Sequence, residues 1–458
     1  MVLGCTSGAG KSLLVTALAR WFARRGVDVV PFKAQNMSNN ARVVEGGEIG
    51  VAQWLQAKAA GVEPTVDMNP VLLKPEADTR SQVVVGGRPR HDLTEMPWQE
   101  RGPHVWPAME ESFDRLLSTH DLVLIEGAGS PAEINLPDLV NNRVLEHSDA
   151  TALLVSDIDR GGSFAHLYGT WSLVPESTRG RLAGFVLNKF RGDRSLLEPG
   201  PAELSRLTGM PCAGVVPMLE HGLPDEEGGV VRGVAPDNSI SVAVVRAPFA
   251  SNLDEFHLLP WAAEMRWATR PEDLDGVDLV ILPGSKHVSA DIAWWRDRKL
   301  DRVLVERARR GGRILGVCGG AMLLGREILD PAGVEGEASG LGLLAFDTTL
   351  TEDKVAVGVT VEFPDMPEPW QALGGLETSG YEIRHGRIDG ADCQVAPWLW
   401  VRANLLATTV HGLLEDPAVL AALTGHRPVP VLEPTFERLA DAVEEHLDTA
   451  LIETLVER

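Results

Sequence analysis

The sequence predicts an α/β protein of two domains, each built on a mostly parallel, buried sheet. Three observations predict it. Short apolar runs alternate with helical patterns along the whole chain. Each run ends at a glycine turn or at a residue able to do chemistry, as where parallel strands present their carboxyl ends to a ligand. The segment Pro224 to Asn238, rich in Pro, Gly and acids, breaks this pattern in a chain of 458 residues, too long for one ordinary core. The domains are therefore expected at 1–230 and 239–458.

The clearest strand runs, in order, are Asp121–Ile125, Thr151–Ser156, Gly184–Leu187, Ile240–Val245, Asp278–Leu282, Arg313–Val317 and Ala407–Val410. The stretch from Gly86 to Pro107 reads as loop. About Pro434 to Arg458 reads as a closing amphipathic helix. Only Met1-Val-Leu3 precede the first glycine loop, short for a central strand, which leaves open whether the native start lies upstream.

No run of about 18 apolar residues occurs, so no membrane span is expected. Met1 to Lys11 lack a basic leader and an apolar core, so no signal peptide is expected. Val2-Leu3-Gly4-Cys5 has the form of a lipoprotein box, but no apolar segment precedes it. Four cysteines lie far apart with no CxxC pair, which suits a reducing cytoplasm. A formal net charge of −23 disfavours nucleic acid and anionic membrane as partners. Anionic ligands then need local positive devices.

The first such device is Gly4-Cys-Thr6-Ser-Gly-Ala-Gly10-Lys11-Ser12, which opens the helical pattern Leu13–Arg24. Glycines let backbone N–H groups face phosphate oxygens, and a helix N-terminus adds positive potential. Lys11 can reach the outer phosphates and the Ser12 hydroxyl can ligate Mg²⁺. The spacing is one residue longer than GxxxxGK[ST], and a plain glycine turn is the alternative. Glu126, closing the apolar run Leu122–Ile125 before Gly127-Ala-Gly129, stands where a phosphate-loop enzyme holds a magnesium-directed acid. A solvated strand edge would look the same. Asn188, ending another strand, suits contact with a base edge, or an Asx turn.

In the second half, Gly316-Val-Cys318-Gly319-Gly320 follows a strand and opens the helical Ala321–Arg326. This is the cysteine form of a nucleophile elbow, where a strained turn exposes the side chain. A helix N-terminus stabilises a thiolate. The alternative is a buried structural cysteine. His411, at the end of an apolar run after Cys318, is the candidate base. The N–H groups near Gly284 and Gly319 are the candidate oxyanion hole.

Pro31-Phe-Lys33-Ala-Gln35-Asn36-Met37, Gly47-Glu48-Ile-Gly50, Asp67-Met-Asn-Pro-Val-Leu-Leu-Lys-Pro75, Glu126-Gly-Ala-Gly-Ser-Pro131 and Asp157-Ile-Asp-Arg160-Gly-Gly-Ser-Phe164 occur in one order. Together they resemble cobyric acid synthases, from the first residues to the His411 region. The lengthened loop also resembles that of dethiobiotin synthetases. The resemblance implies a phosphate-loop synthetase domain followed by a class I glutamine amidotransferase-like domain. It implies ATP and Mg²⁺, L-glutamine and a corrinoid substrate, adenosylcobyrinic acid a,c-diamide, amidated on its remaining carboxylates. Carried over position by position, Gly4, Thr6, Gly10, Lys11, Ser12 and Lys33 would hold phosphates and Asn188 would contact adenine. Ser12, Glu48 and Glu126 would direct Mg²⁺, and Gln35, Asn36, Asp157 and Arg160 would line the corrinoid side.

There are departures. The family usually carries Asp where this chain has Gly8. Leu413 stands where many amidotransferases place a Glu two residues after the His, so a Cys–His dyad is expected, with Glu415 a possible orienter. Ser379-Gly-Tyr381-Glu-Ile-Arg384-His385 has Arg where the family has His. The rival enzyme reading is cobyrinate a,c-diamide synthase, which shares both domains. A non-catalytic phosphate-loop switch is the other rival, although both Cys318 and His411 are present.

Overall fold

The computed structural model describes residues 1–77, 80–135, 138–224, 233–390 and 392–456. Most of the expected linker, residues 225–232, lies outside the described residues.

The first domain opens with β1 (Val2–Gly4), followed by helix α1 (Lys11–Arg24) and β2 (Val29–Phe32). Next come β3 (Gln35–Met37), β4 (Ala41–Val44), β5 (Gly47–Gly50) and helix α2 (Val51–Ala60). Strands β6 (Val71–Ala77), β7 (Arg80–Val85) and β8 (Arg88–Pro89) form a small sheet with β3. The parallel sheet continues with β9 (Leu122–Ile125), β10 (Ala152–Asp157), β11 (Leu182–Phe190) and β12 (Cys212–Pro217). Its order is β1-β10-β11-β12, and a parallel bridge from Val2 to Glu126 adds the β2–β9 pair on the other side of β1. Three residues suffice for β1 because both its neighbours are strands, and Leu3 is fully buried. The carboxyl ends of β1, β9, β10 and β11 thus converge on the loop before α1.

The second domain contains β13 (Ser241–Val245), β14 (Ala250–Ser251), β15 (Glu264–Ala268), β16 (Leu279–Leu282), β17 (Gly284–Ser285) and β18 (Arg313–Val317). After β19 (Glu327–Leu329) and β20 (Ala338–Ser339), the long strands β21 (Asp347–Glu362) and β22 (Glu377–Asp389) pair antiparallel as an arm. Strands β23 (Gln394–Ala396), β24 (Leu399–Arg402) and β25 (Leu405–Thr408) complete a seven-stranded sheet ordered β15-β13-β16-β18-β25-β24-β23. Its central strands are parallel and mostly apolar, as burial on both faces requires.

Three local expectations are corrected. The Gly86–Pro107 stretch is not all loop: a helix runs from Gly102 to Thr119, with Pro103 in its first turn where its missing N–H costs nothing. The strand before His411 is Leu405–Thr408, so the expected run is shifted by two residues. The closing segment is two helices, Leu432–His446 and Thr449–Val456, and they return to the first domain rather than completing the second. Phe436, Leu439, Ala440 and Val443, at helical spacing, bury against Leu14, Leu18 and Val216. Arg20 and Arg24 of α1 meet Glu433, Glu437 and Asp441 across this contact. Among the described residues no helix is long and apolar enough to cross a membrane.

Candidate active sites

The loop between β1 and α1 turns through left-handed glycines, Gly8 at φ 72° and Gly10 at φ 93°. A side chain at Gly10 would also strike the Asn188 amide, only 2.1 Å from an added Cβ. Lys11 folds back beneath the loop, donating to the Thr6 carbonyl at 3.3 Å and the Gly129 carbonyl at 3.1 Å. The Ser12 hydroxyl donates to Glu126 Oε1 at 2.8 Å, and Lys33 Nζ reaches the same oxygen at 2.8 Å. Gln56, from α2, donates to the other carboxylate oxygen at 2.5 Å. Burial would raise the Glu126 pKa, but Lys33, Gln56 and Lys11 outweigh it and hold the carboxyl below its usual range.

Ser12 and Glu126 therefore present a hydroxyl and an ionised carboxylate side by side. That hard-oxygen pair fits a Mg²⁺ ion completed by phosphates and water. No cluster of three or more His, Cys, Asp or Glu groups suited to a metal occurs among the described residues.

The other expected residues divide. The Asn188 amide is occupied by the loop itself, donating to the Ala9 carbonyl at 2.9 Å. Asp157 meets Lys189 at 3.1 Å and Arg160 at 3.6 Å, and Lys189 also donates to the Gly8 carbonyl, so this group flanks the phosphate loop. Gln35 and Asn36 lie on β3, and the Asn36 amide donates to Gln53 on the Glu126 side. Glu48 has two lysines as its ion-pair partners. It is fully buried between Lys74, at 2.8 Å, and Lys354 of the second domain. Burial alone would raise its pKa, but the two ammonium groups bring it to about 2. Lys354 shares that one carboxylate with Lys74, so burial prevails there and lowers it to about 7.

In the second domain, Cys318 follows β18 and precedes the helix Gly319–Leu324. Its backbone sits at φ 49°, ψ −105°, a strained turn for a non-glycine residue. The strain is locked in by packing, since a Cβ on Gly320 would lie 2.1 Å from the Leu282 carbonyl. Gly319 is the first helical residue, so its N–H lacks an intrahelical partner. Gly284, on β17, lies where a Cβ would come within 2.7 Å of the His411 ring.

His411 is 1% exposed and its Nδ1 lies 3.0 Å from Glu255 Oε1. The second oxygen of Glu255 accepts the Gly412 N–H at 2.9 Å. Burial works to lower the His411 pKa, but the charges of Glu255 and Cys318 and their hydrogen bonds raise it to about 10. The carboxylate on the His411 ring is thus Glu255 and not Glu415. Glu415 pairs with Arg42 at 2.5 Å instead. Sequence reasoning missed Glu255 because it lies 156 positions before the histidine, in a turn with no motif of its own. Tyr381 stacks on His411, with centroids 5.3 Å apart and planes 15° apart.

A cavity of about 40 Å³ opens beside Cys318, lined among others by Ser285, Lys286, Glu335 and His385, and by Lys74 from the first domain. Arg384, standing where His was expected, turns to Glu382 and to the Gly386 carbonyl. His385 faces the cavity, and burial together with Lys354 and Lys286 lowers it to about 3.

Two protein families match this chain. The one described as the CobQ/CobB/MinD/ParA nucleotide binding domain covers residues 1–223, and the CobB/CobQ-like glutamine amidotransferase domain covers 241–419. Full-length relatives are similar throughout. The cobyric acid synthase of Variovorax paradoxus (strain S110) is 50% identical over 473 residues, covering 100% of this chain and 98% of the relative. That of Polaromonas sp. (strain JS666) is 48% identical over 498 residues, with the same coverage. The Paracidovorax citrulli (strain AAC00-1) enzyme is 50% identical over 478 residues, covering 98% of this chain and 97% of the relative.

Proposed function

The chain belongs to the cobyric acid synthase family, whose members carry out glutamine-dependent amidation in cobalamin biosynthesis, and we propose how its two sites divide that work. A carboxylate is a poor electrophile, and ammonium is no nucleophile. The first domain removes the first obstacle. A carboxylate oxygen of the corrinoid attacks the γ-phosphorus of ATP, the bond to ADP breaks, and an acyl phosphate forms. Lys11, Lys33 and the N–H groups of the glycine loop face the charge that shifts among the phosphate oxygens. Bound at Ser12 and Glu126, Mg²⁺ would neutralise phosphate charge.

The second domain supplies neutral ammonia. The Cys318 sulfur attacks the carboxamide carbon of L-glutamine, forming a C–S bond and an oxyanion. The N–H groups of Gly284 and Gly319 would receive that oxyanion. His411, protonated between Glu255 and Cys318, gives its proton to the leaving nitrogen. Water then hydrolyses the thioester to glutamate. Ammonia attacks the acyl carbon, phosphate leaves, and an amide remains. The substrate is adenosylcobyrinic acid a,c-diamide and the product adenosylcobyric acid, made in the cytoplasm.

The observation that carries this reading is the His411 imidazole fixed between Glu255 and Cys318, in a chain that also holds Ser12 and Lys33 on Glu126. Mass spectrometry of the a,c-diamide incubated with ATP, Mg²⁺ and glutamine tests it. Successive amide-for-carboxylate mass shifts are expected. Amidation of the fully unamidated corrinoid at a and c instead would overturn the substrate assignment.

A further inference from the structure

The turn that carries Glu255 is fastened to the first domain. Asn252, left-handed at φ 56°, donates to the Ala41 carbonyl at 3.0 Å and to the Tyr381 hydroxyl at 2.8 Å. The Leu253 N–H donates to Asn40 Oδ1 at 2.9 Å. Asp254, 2% exposed, is ion-paired with Arg42. The same guanidinium reaches Glu415 at 2.5 Å and lies over the rings of Trp54, at 4.9 Å, and Tyr381, at 5.4 Å. Residues 40–42 thereby touch both supports of His411: the turn bearing Glu255, and the Tyr381 ring stacked on the imidazole.

We propose that Arg42, on strand β4 of the synthetase domain, is a positioning residue for glutamine hydrolysis, acting through Asp254 and Tyr381 on Glu255 and His411. The inference rests on the reading of Cys318 and His411 as the glutamine-hydrolysing pair. Its physical basis is charge and geometry. Asp254 and Glu415 are two carboxylates on either side of one guanidinium, and a planar two-pronged cation can satisfy both at once. Without it the buried Asp254 loses its ion-pair partner, and the adjoining Glu255 shifts with the turn. Arg42 itself does not line the cavity beside Cys318, and of the turn it fastens only Ser251 and Asn252 do, so its loss is expected to act on kcat more than on KM. The same strand is tied to the other site. Arg42 pairs with Ile49 on β5, and the Asn40 carbonyl accepts the N–H of Val51, which opens the helix carrying Gln56 to Glu126.

The test compares glutamate release from glutamine with amidation driven by ammonium chloride, in the full-length chain. Arg42→Gln is expected to lower kcat for glutamate release by about 10²-fold, the scale of an ångström-level misplacement. KM for glutamine and the ammonium-driven rate should stay within about threefold of wild type. Arg42→Lys keeps the charge without the fork and should recover about tenfold of the loss. Asp254→Asn, nearly isosteric, should lower kcat in the same way, and it decides the matter if Arg42→Gln does not fold. Unchanged kcat in these variants overturns the inference. So does an equal fall in ammonium-driven amidation by a folded variant, or a change in KM alone. Cys318→Ser, assayed in parallel, separates the two readings. If it still releases glutamate, the premise fails; if it is inactive while Arg42→Gln is not impaired, only the inference fails.

Discussion

The phosphate-loop site and the cysteine site differ in how far each is supported by its own domain. Glu126 takes its hydrogen bonds, among the described residues, from Ser12, Lys33, Gln53 and Gln56, all of the first domain. Glu255 is held to His411 by its own domain, but the turn beneath it is held by Asn40, Ala41 and Arg42 of the other. The phosphate-loop carboxylate is thus bonded within its own domain, whereas the support beneath the His411 partner crosses to the other. If Arg42 acts as proposed, glutamine hydrolysis is tuned from the synthetase side, whereas the groups bonded directly to Glu126 come from its own domain.

The strongest way to sharpen this contrast is Cys318→Ser. A serine hydroxyl lacks a readily formed anion near neutral pH, so glutamate release should fall by at least about 10⁴-fold. Amidation from ammonium chloride, at a pH giving free NH₃, should continue and still require ATP. Loss of both activities in a folded protein would break the division into separate sites.

Lys11→Ala should do the reverse. Removing a cation from the transferring phosphoryl is expected to lower amidation by about 10³-fold with either nitrogen source. Ammonium-driven amidation near the wild-type rate would contradict the phosphate-loop assignment. Glutamate release is the internal control.

Glu255→Gln should slow glutamate release by about 10³-fold, as when a carboxylate orienting a catalytic histidine is neutralised. The pH profile adds a sign. In the native site the imidazolium is kept to about 10, so the alkaline limb set by loss of that proton lies near there. The carboxylate raises that value, so the amide lowers it, and the limb should move to lower pH in the variant. An unmoved limb would remove Glu255 from the triad.

The smallest effect on chemistry is expected for Glu48→Gln. Two lysines would lose their shared buried carboxylate, at a cost of about 3–5 kcal/mol of stability, seen as a lower Tm. In the cold, ammonium-driven amidation should stay within about threefold of wild type at unchanged Mg²⁺ dependence. A raised Mg²⁺ requirement would return Glu48 to the metal, as the family resemblance implies.

Local patterns determined a good deal of this protein. Chain-adjacent glycines and a lysine place a phosphate loop, because the chemistry needs backbone N–H groups from consecutive residues. The Cys318 elbow is legible for the same reason: strand, strained turn and helix are neighbours in the chain. The alternation of apolar runs and helical patterns is enough for two α/β domains, because strands buried on both faces are apolar along their whole length.

What lay beyond reach was every choice among distant partners of like chemistry. Glu415, four residues after His411 and half-buried, and Glu255, 156 before it and fully buried, are both carboxylates that could orient an imidazole. Only the packing of β4 against the turn at Asn252 decides between them, by giving Glu415 to Arg42. Glu48 likewise has the composition of a metal ligand but finds two lysines, one from the other domain. The closing helix shows its apolar face in the sequence, yet an apolar face fits any core. Its acidic row meets Arg20 and Arg24, and that pairing across some 400 residues is a property of the folded chain alone.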